Sequence, residues 1–214
     1  MRARNAAPAA ALLALVMLAA GCAAPRPAVR AGAPPEVLWQ QHRDKIAAIS
    51  GWRVKGKIAV QSGNEGGSAR LLWTRRGEHE QIELSGPLGG GRMRIEASPG
   101  RALLRDTEGG RIEAESADAA LRERLGWRVP FGELAHWARG LPGGAREDEL
   151  EFDAAGRLRA LQQGRWRVRY REYARVGEME LPRSIFLTAA EEAGEDAFSV
   201  KVLLQSWKDL RVGD

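Results

Sequence analysis

The residue types that most often carry catalysis are sparse in this sequence. Its three histidines, His42, His79 and His136, have no serine elbow and no metal-ligand spacing around them. The acidic pair Glu191-Glu192 is typical of a solvated turn rather than of general acid–base chemistry. No residues are therefore predicted as catalytic or metal-binding, and the chain is predicted not to be an enzyme.

A glycine-rich loop is the next place where chemistry is conceivable. Gly89, Gly90 and Gly91 follow one another, but the Lys-Ser/Thr pair that completes a phosphate-binding loop is missing and no convincing helix begins there. Nucleotide binding is therefore not indicated. No cofactor is expected.

The single cysteine, Cys22, is the remaining reactive side chain, and its position is informative. Arg2 and Arg4 precede an apolar run over residues 6–20, which is typical of a secretory signal and too short for a comfortable membrane span. One cysteine allows no disulfide within the chain. A lone cysteine directly after such a run resembles the bacterial lipobox, although Ala19 stands where leucine is usual.

The lipobox resemblance implies three features of the N-terminal region. Residues 1–21 would be a lipoprotein signal peptide, and Cys22 would be lipidated and become the mature N-terminus. Ala23 in place of aspartate resembles the sorting signal for the outer membrane. The alternative is a soluble exported protein that is cleaved elsewhere.

Residues 22–35 read as a tether rather than as part of a folded core. Four prolines and no apolar periodicity predict an extended segment with a reach of roughly 40 Å. The folded domain is therefore predicted to occupy residues 36–214. The formal net charge is +5 for the whole chain and two less without Arg2 and Arg4. This charge is too small, and the charged residues are too scattered, for a nucleic-acid partner.

Alternating apolar residues fill most of the predicted domain. After a helix predicted from Glu36 to Ile49, the WRVKGKIAV segment that begins at Trp52 alternates with period two, and about ten further segments do the same. Two short helices interrupt the pattern, one capped by Ser116 and one beginning near Pro130. The pattern predicts a mainly β fold, an open antiparallel half-barrel of about eleven strands, with a helical flap over one mouth.

The apolar faces of these strands would point into a concavity, because strand twist makes a large sheet curl. Wide tryptophans outnumber the other aromatic residues, which favours an open lining over a densely filled core. A filled barrel core is the alternative. The candidates for the lining of an acyl-chain cavity are Trp52, Val54, Ile58, Leu71, Trp73, Ile82, Leu84, Met93, Ile95 and Leu104.

Two further features, one in a loop and one on the solvent-facing side of the strands, each allow two interpretations. Leu88 lies in a loop of glycine and proline between two strands, where it is either an ordinary exposed leucine or a probe for an apolar partner. Four cations on the first two strands, Arg53, Lys55, Lys57 and Arg70, are either ordinary solvated charges or a surface for an acidic partner.

Five stretches stand out by their order along the chain: a helix with Trp39, the strand that begins at Trp52, the GPLG motif from Gly86, the GLPG motif from Gly140 and a closing strand near Trp207. In this order they resemble the LolB family of outer-membrane lipoproteins. Together they span most of the chain from residue 36. The resemblance implies the same lidded half-barrel that the strand count predicts.

The resemblance also implies a function and a set of partners. A LolB-like protein is a monomeric receptor, anchored through Cys22 at the periplasmic face of the outer membrane. It accepts client lipoproteins from a LolA-like periplasmic carrier and inserts their acyl chains into outer-membrane lipid, and the loop leucine needed for delivery corresponds to Leu88. A structural envelope lipoprotein without transfer activity and a membrane-attached hydrolase are the alternatives.

Overall fold

The computed structural model describes residues 33–87, 91–144, 149–189 and 197–213, and most of them belong to one antiparallel sheet. The predicted signal peptide, Cys22, nearly all of the predicted tether and Leu88 lie outside these ranges. In the described ranges, no helix is both long enough and apolar enough to cross a membrane.

Eleven strands make up the sheet within the described residues, and its two edges are far apart in the strand order. The order is β6-β5-β4-β3-β2-β1-β11-β10-β9-β8-β7, so the sheet is open. The strands are β1 (Ile49–Ser62), β2 (Glu65–Arg76), β3 (His79–Ser85), β4 (Arg92–Ser98), β5 (Arg101–Asp106), β6 (Arg111–Ala114), β7 (Glu149–Phe152), β8 (Leu158–Gln163), β9 (Trp166–Val176), β10 (Met179–Ala189) and β11 (Phe198–Val212).

The first strand lies in the middle of the sheet because its alternating sequence buries one face along its whole length. Trp52, Val54 and Ile58 are buried, whereas Lys55 and Lys57 point to the opposite, exposed face. We call the face that carries the tryptophans the inner face and the other the outer face. The last strand, β11, pairs antiparallel with β1 and joins the two halves of the sheet.

A glycine is required where β1 and β11 change register. The register shifts between Lys55 and Gly56, as at a β-bulge. A Cβ added at Gly56 would lie 2.0 Å from the carbonyl oxygen of Leu203, which no side chain tolerates. The two central strands can therefore approach each other at this point only with glycine here.

Three helices are present among the described residues: α1 (Pro35–Ala47), α2 (Ala117–Leu125) and α3 (Phe131–Trp137). The predicted cap of α2 is confirmed, since the Ser116 hydroxyl accepts a hydrogen bond of 3.2 Å from the N–H of Ala119. Gly126 ends α2 with φ +67°, the left-handed conformation that favours glycine. The mainly β fold with an open sheet of eleven antiparallel strands and a helical cover is confirmed.

The helices lie deeper than the predicted flap over one mouth. Leu121, Phe131, Leu134 and Trp137 are all fully buried, and α2 packs against β4, β5 and β6. Helices that neighbour few strands in sequence thus form the second layer of the core. The physical reason is that the apolar inner face must be covered, and the helices that the chain supplies between β6 and β7 pack against it.

Candidate functional site

The inner face brings together all ten residues predicted to line an apolar cavity. Nine of them are exposed by no more than 3%, and Met93 is partly buried against the same core. The grouping follows from the pairing of β1 to β5, which places inward residues of neighbouring strands side by side. The sequence therefore identified the buried face of these strands, and the role of these residues as the lining of an acyl-chain cavity stays a prediction.

Side chains of the helices fill the space above that face in this conformation. Phe131 of α3 meets the ring of Trp73 edge-on, with ring centroids 5.4 Å apart, and Trp73 meets Trp52 in the same way at 4.8 Å. Trp207 extends the row, with its ring 5.4 Å from that of Trp52. The helical cover is thus joined to the sheet by a continuous row of aromatic rings.

The second half of the inner face was missed as part of the candidate site. Strands β9 to β11 contribute a comparable apolar surface beside β1. Its fully or nearly fully buried residues include Val168, Ile185, Leu187, Val200, Val202 and Leu204. The available signal was the alternation from Phe198 to Leu204, which predicted a strand but did not show that this strand pairs with β1.

Few polar contacts hold α3 in place. The carboxylate of Asp118 on α2 accepts a hydrogen bond of 2.8 Å from the N–H of Phe131, where α3 begins. Near the other end, Gln163 Oε1 accepts hydrogen bonds from the indole N–H of Trp137 at 3.0 Å and from the N–H of Gly143 at 2.8 Å. These contacts connect α3 to α2 and to β8.

Arg139 is the one buried charged side chain among the described residues, and it follows α3 directly. Its guanidinium donates to the carbonyl oxygen of Ala135 at 3.1 Å and to that of Ile49, the first residue of β1, at 3.0 Å. Burial, reinforced by the nearby charge of Arg75, lowers the pKa of Arg139 to about 10. No feature of the sequence indicated this link between α3 and β1.

Asp118 has an unusual protonation equilibrium because it lies between the two covering helices. Burial raises the pKa of its carboxyl group to about 6, against the opposing effect of the hydrogen bond from Phe131. Glu80 shows the same direction, since burial raises its pKa while Arg75 and the indole N–H of Trp73 favour the charged form. The carboxyl group of Asp118 thus contacts the start of α3, whereas the partners of Glu80 lie on β2.

A cleft of about 630 Å³ lies beside the connection between α2 and α3. Its wall combines apolar rings with charged groups. The lining residues are Ser62, Asp118, Arg122, Gly126, Arg128, Val129, Pro130, Arg165, Trp166, Ala189 and Phe198. The cleft therefore lies where the helical cover meets the ends of several strands.

The site is suited to holding apolar groups rather than to bond-making chemistry. Within the described ranges, no group of three or more His, Cys, Asp or Glu side chains is arranged to hold a metal ion. Two predicted site residues, Cys22 and Leu88, lie outside the described residues, so their roles stay predictions.

Comparison with known proteins agrees with this arrangement. The sequence model of the family described as "Outer membrane lipoprotein LolB" matches residues 50–207. The chain is 36% identical over 200 residues to the outer-membrane lipoprotein LolB of Stutzerimonas stutzeri (strain A1501), covering 93% of this chain and 94% of that protein. It is 36% identical over 201 residues to the LolB of Ectopseudomonas mendocina (strain ymp), covering 93% and 95%.

The fold is also similar to a solved structure. A LolA superfamily protein from Nitrosomonas europaea superposes with a TM-score of 0.52 at 11% identity, covering 86% of this chain and 95% of that one. The sequence matches span the sheet and both covering helices. The chain therefore belongs to the LolB family of outer-membrane lipoproteins, which act in lipoprotein localisation and are not enzymes.

Proposed function

We propose that this protein is a lipid-anchored receptor that accepts lipoproteins from a periplasmic carrier and inserts them into the outer membrane. The observation that carries the proposal is an apolar inner face of ten or more strand residues, against which the two short helices α2 and α3 pack. The acyl chains of the lipoprotein would lie between this face and the helices.

The energetics of acyl chains explain why such a face is useful. A palmitoyl chain buries about 15 methylene groups at about 0.8 kcal/mol each, so exposing one chain to water costs roughly 12 kcal/mol. An apolar container avoids this cost during transfer. Transfer from carrier to receptor to bilayer then runs downhill if each environment is more favourable than the last, without a nucleotide.

The helical cover must move for a chain to enter, because its side chains occupy the space above the inner face. Phe131 and Leu134 are fully buried there. A helix of seven residues has little stability of its own, so α3 stays in place mainly through its contacts with the sheet and with Asp118. We propose that α2 and α3 open together and that the cleft beside their connection is the entrance for the chain.

Anchor and delivery loop are assigned to two residues outside the described ranges. Lipidated Cys22 would hold the protein at the periplasmic face of the outer membrane, and the tether would let the domain approach the bilayer. Leu88 would touch the bilayer when the receptor delivers its cargo. Burying a leucine side chain gains about 1.5–3 kcal/mol, which is modest for affinity but sufficient to favour the contact.

The test separates acceptance of a lipoprotein from its delivery. A complex of carrier and lipoprotein is mixed with the full chain carrying Cys22→Ala, and lipoprotein bound to each protein is quantified before and after outer-membrane vesicles are added. We expect uptake without nucleotide. Leu88→Glu in the same background should leave uptake nearly intact and slow delivery, because a carboxylate resists leaving water.

A structural lipoprotein with a filled core is the second candidate, and the tight packing of Phe131 on Trp73 favours it. It predicts no uptake from the carrier under any condition. Uptake by the Cys22→Ala chain excludes this candidate. Normal delivery by Leu88→Glu, or loss of uptake in that variant, would contradict the role assigned to Leu88.

A further inference from the structure

The outer face of the sheet carries a group of cations beside the loop that leads to Leu88. Strands β1, β2, β4 and β11 contribute them, and all are exposed. No member of this group forms an ion pair with another residue that the structure describes. We call the group the outer basic patch, and its members are Lys55, Lys57, Arg70, Arg92 and Lys201.

Strand register forces these like charges together. Lys57 on β1 lies directly opposite Arg70 on β2. Ser85 separates Arg70 from Arg92 in the same row, and Lys201 is paired with Ala59, two residues from Lys57. Like charges directly opposite each other on one face of a sheet are destabilising. The arrangement thus carries a cost that a bound anion would offset.

Several other cations on the outer face have carboxylate partners. Arg94 is 3.0 Å from Glu83, Arg105 is 3.7 Å from Glu96, and Arg53 is 3.3 Å from Asp209. The patch is therefore defined by the strand register that places its members side by side, and not by a lack of ion-pair partners alone. Of the four cations singled out in the sequence on the first two strands, Arg53 is not part of the patch because it is paired with Asp209. Lys55, Lys57 and Arg70 belong to it.

The patch combines charge with an apolar floor. Two shallow depressions, of about 420 and 330 Å³, share Lys57 and Arg70 as their common wall. One extends to Arg92 and Lys55. The other contains Ala59, Leu203 and Pro87, the last described residue before Leu88. A phosphate beside apolar carbon atoms fits the second depression, whereas the first also contains the carboxylate of Glu83, which is paired with Arg94.

We infer that the outer basic patch binds phosphate groups of anionic phospholipids and so orients the receptor on the membrane surface. The inference deepens the proposed function, on which its biological setting rests. Pro87 lies in the wall of the patch, so a membrane that Leu88 contacts is also within reach of Lys57 and Arg70. A carrier, by contrast, must present its acyl chain to the inner face, on the opposite side of the sheet.

The expected effect follows from the charge of the membrane surface. Each lysine or arginine near an anionic surface strengthens binding by a factor of about five, so removing two should weaken it about thirtyfold. The attraction is electrostatic and should fall as salt is added. Binding to uncharged vesicles should be weak and nearly independent of salt.

Vesicle co-sedimentation tests the inference on the full chain carrying Cys22→Ala, which removes the anchor from every variant. The test variant adds Lys57→Gln and Arg70→Gln. The matched control adds Arg105→Gln and Arg183→Gln, which remove the same charge from exposed positions outside the patch. Each protein is titrated with phosphatidylcholine vesicles, with and without phosphatidylglycerol, at low and high salt, and its thermal unfolding is recorded.

We expect the test variant to lose about thirtyfold in affinity for phosphatidylglycerol vesicles at low salt, with no fall in melting temperature. The control should bind like the parent. Equal binding by both variants, or equal loss in both, overturns the inference. A test variant that binds vesicles normally but fails to take lipoprotein from the carrier assigns the patch to the carrier instead. Failure of the parent to take up lipoprotein refutes the proposed function alone, because vesicle binding is measured without cargo.

Discussion

Replacing Phe131 with alanine should loosen the helical cover without altering the strands beneath it. The ring is fully buried and packs edge-on against Trp73. Removing a buried phenylalanine ring costs about 3–5 kcal/mol of folding stability, against about 5–15 kcal/mol for a whole domain. The variant should therefore remain folded, with its covering helices less firmly held.

The same loss should strengthen acyl-chain binding. If binding requires displaced helices, the apparent dissociation constant is inversely proportional to the population of the open state. A loss of about 3 kcal/mol in the closed state raises that population up to about a hundredfold, since about 1.4 kcal/mol corresponds to tenfold. Relaxation of the cover around the deleted ring would reduce the gain, so we expect between tenfold and a hundredfold.

A fluorescent fatty-acid probe that quenches tryptophan measures affinity, and urea unfolding measures stability. Ile46→Ala is the matched control, because Ile46 is fully buried in α1 and its removal costs about 2–5 kcal/mol away from α2 and α3. The control should lose stability without gaining affinity. Unchanged or weaker probe binding by Phe131→Ala, or an equal gain in the control, would refute the proposed opening of the cover.

Two further changes probe the site and the anchor. Asp118→Asn should gain stability relative to the parent as pH rises from about 4 to 7. In the parent, the raised pKa of Asp118 gives a stabilising contribution that is fully present below about pH 4 and is lost as pH rises through about 6, by up to about 3 kcal/mol. Urea unfolding at several pH values measures this difference. A variant with the parent's pH dependence would show that Asp118 is not the titrating group. Cys22→Ala should give an unanchored protein that still binds the fatty-acid probe, and mass spectrometry of the parent should find lipid on Cys22; an unmodified Cys22 would contradict the anchor.

Much of the sheet could be predicted because its signals are local. In the segment that begins at Trp52, the alternation of apolar and polar residues predicts which face of the strand is buried. Ser116 and Gly126 mark the two ends of α2, because one caps the helix and the other adopts the left-handed conformation. Strand β10 shows the limit of this approach. It begins at Met179, but apolar alternation in the sequence predicts a strand only from Ser184, because Pro182 and a register shift interrupt the pattern.

The remainder depends on contacts between residues that are distant in sequence. Pairing of β1 with β11 brings the second half of the inner face to the site, and no local pattern specifies that pairing. The depth of α3 likewise depends on Trp73 and Trp166, which lie far from it in the chain. In the sequence, Arg139 looks like an ordinary charged residue near a helix end. Its role depends on its hydrogen bond to Ile49, which lies far away in the chain.

The central claim is that lipoprotein acyl chains occupy the space between the inner face and the helices. A lipoprotein with a photoactivatable acyl chain, handed over by the carrier to the Cys22→Ala chain and then irradiated, tests it directly by mass spectrometry of the cross-linked peptides. We predict cross-links to inner-face and helix residues, including Trp73, Ile82 and Phe131. Cross-links confined to the outer face, or none after a demonstrated transfer, would contradict the claim.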